Sequence, residues 1–66
     1  MKKINKANVR AIVLNTPEDA DKYIVAKAVC GGLWYWGSWN NPEDAHHVAR
    51  QFDNGCVVEV DDAGLN

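Results

Sequence analysis

Gly31-Gly32-Leu33-Trp34-Tyr35-Trp36-Gly37-Ser38-Trp39: this segment is the most informative part of the sequence about the fold. It contains all three tryptophans and one of the two tyrosines of a 66-residue protein. A glycine pair between two apolar runs is typical of a β-hairpin, because glycine adopts the positive φ angles of a tight turn at little cost. We therefore expect residues 22–30 and 33–39 to form two antiparallel strands around a Gly31-Gly32 turn.

Residues 17–30 also fit a helix, which is the alternative to the first strand. Thr16-Pro17-Glu18-Asp19 combines a hydroxyl cap, a proline at the first helical position and acids in the first turn. Gly31 would then end the helix. The hairpin is the preferred interpretation, because apolar runs flank the glycine pair on both sides.

The predicted hairpin register assigns the side chains to two faces, since successive residues of a strand point to opposite sides. Cys30 is expected to lie opposite Leu33. One face, with small residues at its centre, then carries Ile24, Ala26, Ala28, Cys30, Leu33, Tyr35, Gly37 and Trp39. The other face carries Tyr23, Val25, Lys27, Val29, Trp34, Trp36 and Ser38.

The remaining elements follow from shorter patterns. Residues 8–14 are rich in β-branched side chains and predict a strand. Asn41 and Pro42 predict the start of a helix that ends near Phe52, and residues 56–60 predict a final strand. The apolar stripe of this helix consists of Ala45, Val48, Ala49 and Phe52.

These elements predict an α+β fold in β-β-β-α-β order. We expect a small mixed or antiparallel sheet with one helix packed on one face. Residues 1–66 would form a single domain, with residues 1–7 and 61–66 as flexible tails.

Composition limits the classes of function. The chain has a formal net charge of −2 and a pI near 5.5, which disfavours a general nucleic-acid binder. No apolar run is long enough to span a bilayer and no signal-peptide core follows the basic start, so we expect a cytoplasmic protein without a membrane partner. Cys30 and Cys56 suit reduced thiols in such a compartment, whereas a disulfide would require neighbouring strands.

The sequence carries no recognisable catalytic, nucleotide or metal signature. His46 and His47 are adjacent on the predicted helix, so they point about 100° apart and do not readily bind one metal ion. No Cys-x-x-Cys pair is present, and no serine has the context of a nucleophile. We expect no enzymatic activity, no cofactor, no metal and no small-molecule substrate.

A family resemblance spans residues 22–60. It consists of Tyr-Ile-Val-Ala-Lys at 23–27, Leu-Trp-Tyr-Trp-Gly-Ser-Trp at 33–39, Asn-Pro-Glu-Asp-Ala at 41–45, and Val-Val-Glu-Val at 57–60. This pattern resembles small phage- and prophage-encoded proteins. The resemblance implies a helix packed on a small sheet and an origin in a mobile element. Some phage proteins of this size, anti-CRISPR proteins among them, inhibit host defence in the host cytoplasm.

The predicted helix fits best over the small-centred face and would leave the opposite face open. The candidate binding residues on that open face are Trp34, Trp36, Tyr23, Val25, Lys27 and Val29, with Lys27 as a cation–π partner of Trp36. An exposed apolar patch rich in tryptophan and tyrosine indicates a protein-binding surface. The structural alternative to a binding surface is that the N-terminal strand or the aliphatic stems of lysine side chains cover this face.

We therefore predict a non-enzymatic protein-binding module, a phage-encoded inhibitor or modulator of a host protein or a self-associating homodimer. A second hypothesis is single-stranded nucleic-acid binding, in which aromatic residues stack on bases and N-terminal cations attract phosphate. Those cations are Lys2, Lys3, Lys6 and Arg10. A third is a purely structural homo-oligomer.

Overall fold

The computed structural model describes residues 2–61. These residues form an α+β fold, as predicted, with a mixed sheet of five strands and two helices rather than one. The predicted order of elements is wrong. In chain order the elements are β1 Lys2–Asn5, α1 Lys6–Ile12, β2 Val13–Leu14, β3 Tyr23–Val29, β4 Gly32–Trp39, α2 Pro42–Ala49 and β5 Gly55–Asp61.

The sheet has the strand order β1-β5-β3-β4-β2, with β3 at its centre. β3 runs antiparallel to both β4 and β5, while β1 is parallel to β5 and β2 is parallel to β4. β1 and β2 therefore lie at opposite edges, although only α1 separates them in the sequence. The chain crosses one face of the sheet within this short helix.

The predicted N-terminal tail is wrong for the residues that the structure describes. Lys2–Asn5 forms β1, which pairs in parallel with residues 58–61 of β5. Asp61 likewise belongs to a strand rather than to a tail, and residues 62–66 lie outside the described part of the chain. A four-residue strand that pairs with a segment more than fifty positions away has no local signal.

The strand predicted at residues 8–14 is wrong for most of its length. Its first five residues belong to α1, which begins after the N-cap Asn5, whose side chain accepts a 2.9 Å hydrogen bond from the Ala7 amide. Val9 is only 5% exposed in the core between α1 and the sheet. Tertiary burial therefore outweighs the weak helix propensity of its β-branched residues.

The segment between β2 and β3 is a turn rather than the alternative helix. Asn15 has a φ of 65°, and the Thr16 hydroxyl donates back to the Val13 carbonyl at 2.7 Å. The Thr16 hydroxyl therefore does not cap a helix that begins at Pro17. The Ala20 amide donates one hydrogen bond to the Pro17 carbonyl, and this bond closes the turn. The strand interpretation is confirmed for residues 23–29.

The hairpin turn lies one residue earlier than predicted. Cys30 and Gly31 occupy it with φ angles of 51° and 80°, and Val29 pairs with Gly32. Two consecutive positive φ angles are typical of a type I′ turn, whose twist matches that of the flanking strands. The predicted Cys30–Leu33 pairing is therefore wrong.

A β-bulge in β4 changes the predicted faces further. Ala26 pairs with Tyr35 and Val25 pairs with Gly37, so that Trp36 is an extra residue without a partner in the register. A bulge resets the alternation of side chains along a strand. Trp36 and Trp39, predicted on opposite faces, consequently lie on the same face.

The two faces of the sheet are covered by different helices. The face under α1 holds the larger core, which consists of Ile4, Val9, Val13, Ile24, Ala26, Val58 and Val60. The other face holds a smaller core under α2, consisting of Val25, Ala45, Ala49 and Val57. The prediction that the Asn41 helix covers the Ala26 face is wrong, because α1 already occupies that face.

The predicted cap of α2 is confirmed: Asn41 accepts a 2.8 Å hydrogen bond from the Glu43 amide, and Pro42 follows it. Asn41→Ala should lower the free energy of unfolding by about 1 kcal/mol, because this amide loses its acceptor. Urea unfolding monitored by circular dichroism measures the loss. The exposed neighbour Asn40→Ala is the matched control, and equal effects of the two substitutions would contradict the assigned cap.

Candidate functional site

The uncovered half of the α2 face is the candidate site. α2 lies over the end of the sheet near Tyr23 and Trp39, and no helix within residues 2–61 lies above the half near the hairpin turn. Four large apolar side chains are exposed there. They are Leu14 (40% exposed), Val29 (42%), Trp34 (42%) and Trp36 (48%), and we call them the aromatic patch.

The patch is continuous across three strands because Gly32 has no side chain. A Cβ atom at Gly32 would lie 3.8 Å from Leu14 Cδ1 and 3.9 Å from Trp34 Nε1, so these two side chains meet above this glycine. Leu14 is also the register partner of Trp34, and Val29 is the cross-strand partner of Gly32. The site therefore combines residues of β2, β3 and β4.

Trp36 is held by other aromatic rings. Its indole stacks on Trp39 at a centroid distance of 6.2 Å and an interplanar angle of 11°, and it contacts Phe52 at 5.2 Å. Trp39 in turn lies directly over Gly37, where a Cβ atom would come within 2.8 Å of the ring. One side of the Trp36 ring is thus fixed by packing while about half of its surface remains exposed.

Lys27 forms a cation–π contact, but with a different ring from the one predicted. Its ammonium group lies 4.3 Å from the centroid of Phe52, and its cross-strand partner is Trp34. The predicted contact with Trp36 is wrong, because the shifted register moves Lys27 away from that position. The lysine still lies beside the patch and contributes a positive charge at its border.

Two of the predicted site residues belong to the core under α2. Val25 is completely buried, so the prediction that it lies on an exposed surface is wrong. Tyr23 is half-buried against the same core, pairs with Trp39 and has the Lys22 ammonium 5.7 Å from its ring. Leu14 was missed, since only the strand order brings β2 next to Trp34.

Two segments that border the patch contain no charged residue. Residues 28–42 and residues 11–17 have no Asp, Glu, Lys, Arg or His, although 24% of the chain is charged. These two segments form the hairpin turn, β4 and β2. One edge of the sheet is therefore uncharged along its whole length, and this edge borders the patch.

The described residues contain two features that bear on metal binding and redox chemistry. Within residues 2–61, no group of three or more His, Cys, Asp and Glu side chains could hold a metal ion. Cys30 and Cys56 are not joined in a disulfide; Cys30 is exposed in the turn and Cys56 is half-buried in β5. No described helix is both long enough and apolar enough to cross a membrane.

The aromatic patch is the part of the described surface where large apolar side chains cluster without covering structure. Comparison with known proteins adds no family to this description. No protein-family model matches the chain, and no curated protein or solved structure is significantly similar to it.

Proposed function

We propose that this protein is a non-enzymatic protein-binding module that contacts its partner through the aromatic patch. The observation that carries the proposal is the exposure of Trp34 and Trp36, 42% and 48%, on β4, a strand that has no charged residue. Contiguous apolar patches on small proteins usually mark contact surfaces, and tryptophan is enriched among residues that dominate binding energy. Both indoles are anchors in this proposal.

The positions of the N-terminal elements support an accessible patch. β1 pairs at the far edge of the sheet, and α1 packs on the opposite face. Neither element folds across the tryptophans, and Lys27 extends over Phe52. The structural alternative, in which the N-terminal strand or a lysine stem covers the tryptophans, is therefore disfavoured for the described residues.

The distribution of charge favours a protein partner over a nucleic acid. Lys3 lies in β1 with its ammonium group 3.8 Å from Glu59, and Arg10 lies on α1, 3.9 Å from Glu18. Both cations are far from the patch in the topology and have acidic partners. Lys27 is the described cation that borders the patch as the cross-strand partner of Trp34. A single positive charge would contribute little to the binding of a phosphate backbone whose bases stacked on this tryptophan.

The resemblance to phage-encoded proteins leads us to propose a host protein as the target. Binding through the patch would cover a surface of that target and thereby modulate its activity in the host cytoplasm. Self-association as a homodimer is the second form of the same proposal, since a second copy offers an identical apolar patch.

Affinity capture with wild-type protein and the Trp34→Ala/Trp36→Ala double variant tests the proposal. A captured protein is identified by mass spectrometry, purified and titrated against both proteins. We expect the double variant to bind at least tenfold more weakly, because loss of a dominant interface tryptophan costs about 2 kcal/mol or more. The Trp34→Phe/Trp36→Phe variant, which keeps an aromatic ring at each position, should lose less. Equal affinity of wild type and double alanine variant would contradict the proposal.

A further inference from the structure

The two edges of the sheet differ in how they are protected. β1 forms one edge and carries the exposed side chain of Lys3. Lysine on an edge strand is a common device against pairing with another chain. The opposite edge, formed by β2 and the rest of β4, has no charged residue.

β2 covers only part of the outer edge of β4. It pairs with Leu33 and Trp34 and then ends, because Asn15 adopts a left-handed conformation that turns the chain out of the sheet. β4 continues for five more residues, Tyr35–Trp39. Among residues 2–61, no other strand pairs with the outer side of this segment.

The turn after β2 leaves this edge accessible. Thr16 is buried and Ala20 packs against the core under α1, so the turn lies over that face of the sheet. The turn contacts the segment through a side-chain hydrogen bond, in which the Asp21 amide donates to the Ser38 hydroxyl at 2.9 Å. No backbone hydrogen bond joins residues 15–22 to Tyr35–Trp39 within the described chain.

We propose that a second copy of this chain pairs with the open edge of β4. The two Tyr35–Trp39 segments would run antiparallel around a two-fold axis near Gly37 and join the sheets into one of ten strands. This inference rests on the proposed function of the aromatic patch, because it names the partner of that site. Identical strands are self-complementary in this arrangement, since each supplies the same donors and acceptors to the other.

Charge is the first reason to assign a second copy as the occupant. A strand that docks here should be uncharged, because the segment offers no ion-pair partner and a buried lone charge is costly. Residues 28–42 satisfy that requirement. Two copies meeting at this edge bring no like charges together, and the aromatic patches of both lie on the same face of the joined sheet.

The second consideration is the surface area that the interface could bury, which sets the strength of the dimer. A tryptophan offers up to about 250 Å² of surface, so the exposed parts of Trp34 and Trp36 amount to roughly 200 Å² per copy. Leu14 and the edge backbone add to this, but the total stays below the roughly 800 Å² per partner of standard stable complexes. The dimer should therefore be weak and in exchange with the monomer.

Sedimentation equilibrium between about 10 μM and 1 mM covers the range of a weak interface. We expect wild type to shift from monomer to dimer across it. Trp36→Lys should raise the dissociation constant at least tenfold, because two ammonium groups would face each other near the two-fold axis. Trp36→Phe should keep the dimer. Ile12→Lys, which places the same charge at an exposed residue of α1 outside both the patch and the edge, should also keep it.

Amide hydrogen exchange of the wild type locates the contact without any substitution. At the high concentration, the peptide covering residues 35–39 should exchange severalfold more slowly, while Lys2–Asn5 at the other edge is unchanged.

A protein that stays monomeric at 1 mM overturns the inference and leaves binding to a different protein through the patch intact. A dimer that shows no protection at residues 35–39, or that Ile12→Lys disrupts as strongly as Trp36→Lys, also overturns the edge pairing. Loss of the proposed function would instead appear as equal capture of partners by wild type and the double alanine variant.

Discussion

Gly55→Ala is expected to destabilise this protein severely. A Cβ atom at Gly55 would overlap the carbonyl oxygen of Ala49 and lie 3.2 Å from its carbonyl carbon and Cα. These are backbone atoms in the last turn of α2, so the helix itself must move off the sheet. Overpacking of this kind typically costs about 1–3 kcal/mol and more where the backbone cannot relax, which is a large share of the stability of so small a domain.

Urea unfolding of Gly55→Ala beside Gly31→Ala measures this effect. Gly31 has a φ of 80° with nothing within 4 Å of its Cβ position, so its substitution introduces backbone strain of about 1 kcal/mol without a clash. Gly55→Ala should lose clearly more stability than this control. An equal or smaller loss would mean that β5 does not pass so close to α2.

Trp39→Ala should lower the free energy of unfolding by about 3 kcal/mol, the lower end of the range for truncating a core tryptophan, because this indole is partly buried. The indole fills the space between Gly37 and the core under α2, and it supports the ring of Trp36. Its removal leaves a cavity that glycine cannot fill. Thermal unfolding by circular dichroism measures the loss, with Tyr35→Phe as a control that keeps the ring on the other face. A melting temperature within a few degrees of wild type would show that Trp39 is not part of this core.

The elements that the sequence predicts correctly have local signals. The β3–β4 hairpin follows from a glycine pair between apolar runs, and α2 follows from an asparagine cap, a proline and an apolar stripe. β1 and α1 depend on contacts with residues distant in the sequence, and Val9 in particular is helical because it is buried. Propensity alone does not reveal such contacts.

The error in the faces has a different cause. Strict alternation predicts that residues 34 and 36 share one face of the sheet and that residue 39 lies on the other. One bulged residue shifts this alternation and places Trp39 on the same face as Trp34 and Trp36. A bulge leaves no clear mark in a run of aromatic residues, because every neighbour is apolar. The helix predicted for one face therefore lies on the other.

Part of the candidate site was nevertheless predicted from the sequence. Trp34, Trp36 and Val29 are exposed, but they lie beyond the end of α2 on the same face rather than on a face opposite to it. Val25 is buried for the same reason. The uncharged edge is readable in the sequence, although it gains meaning only once β4 is known to be an edge strand.

The fold does not need the indoles of Trp34 and Trp36, and the proposed function depends on this claim. The free energy of unfolding of the Trp34→Ala/Trp36→Ala double variant, measured by urea at a concentration where the protein is monomeric, tests it most directly. We predict a loss below about 2 kcal/mol, since both rings are close to half exposed and only Trp36 gives up contacts with other rings. A loss equal to or greater than that of Trp39→Ala would contradict the claim, because both tryptophans would then belong to the core.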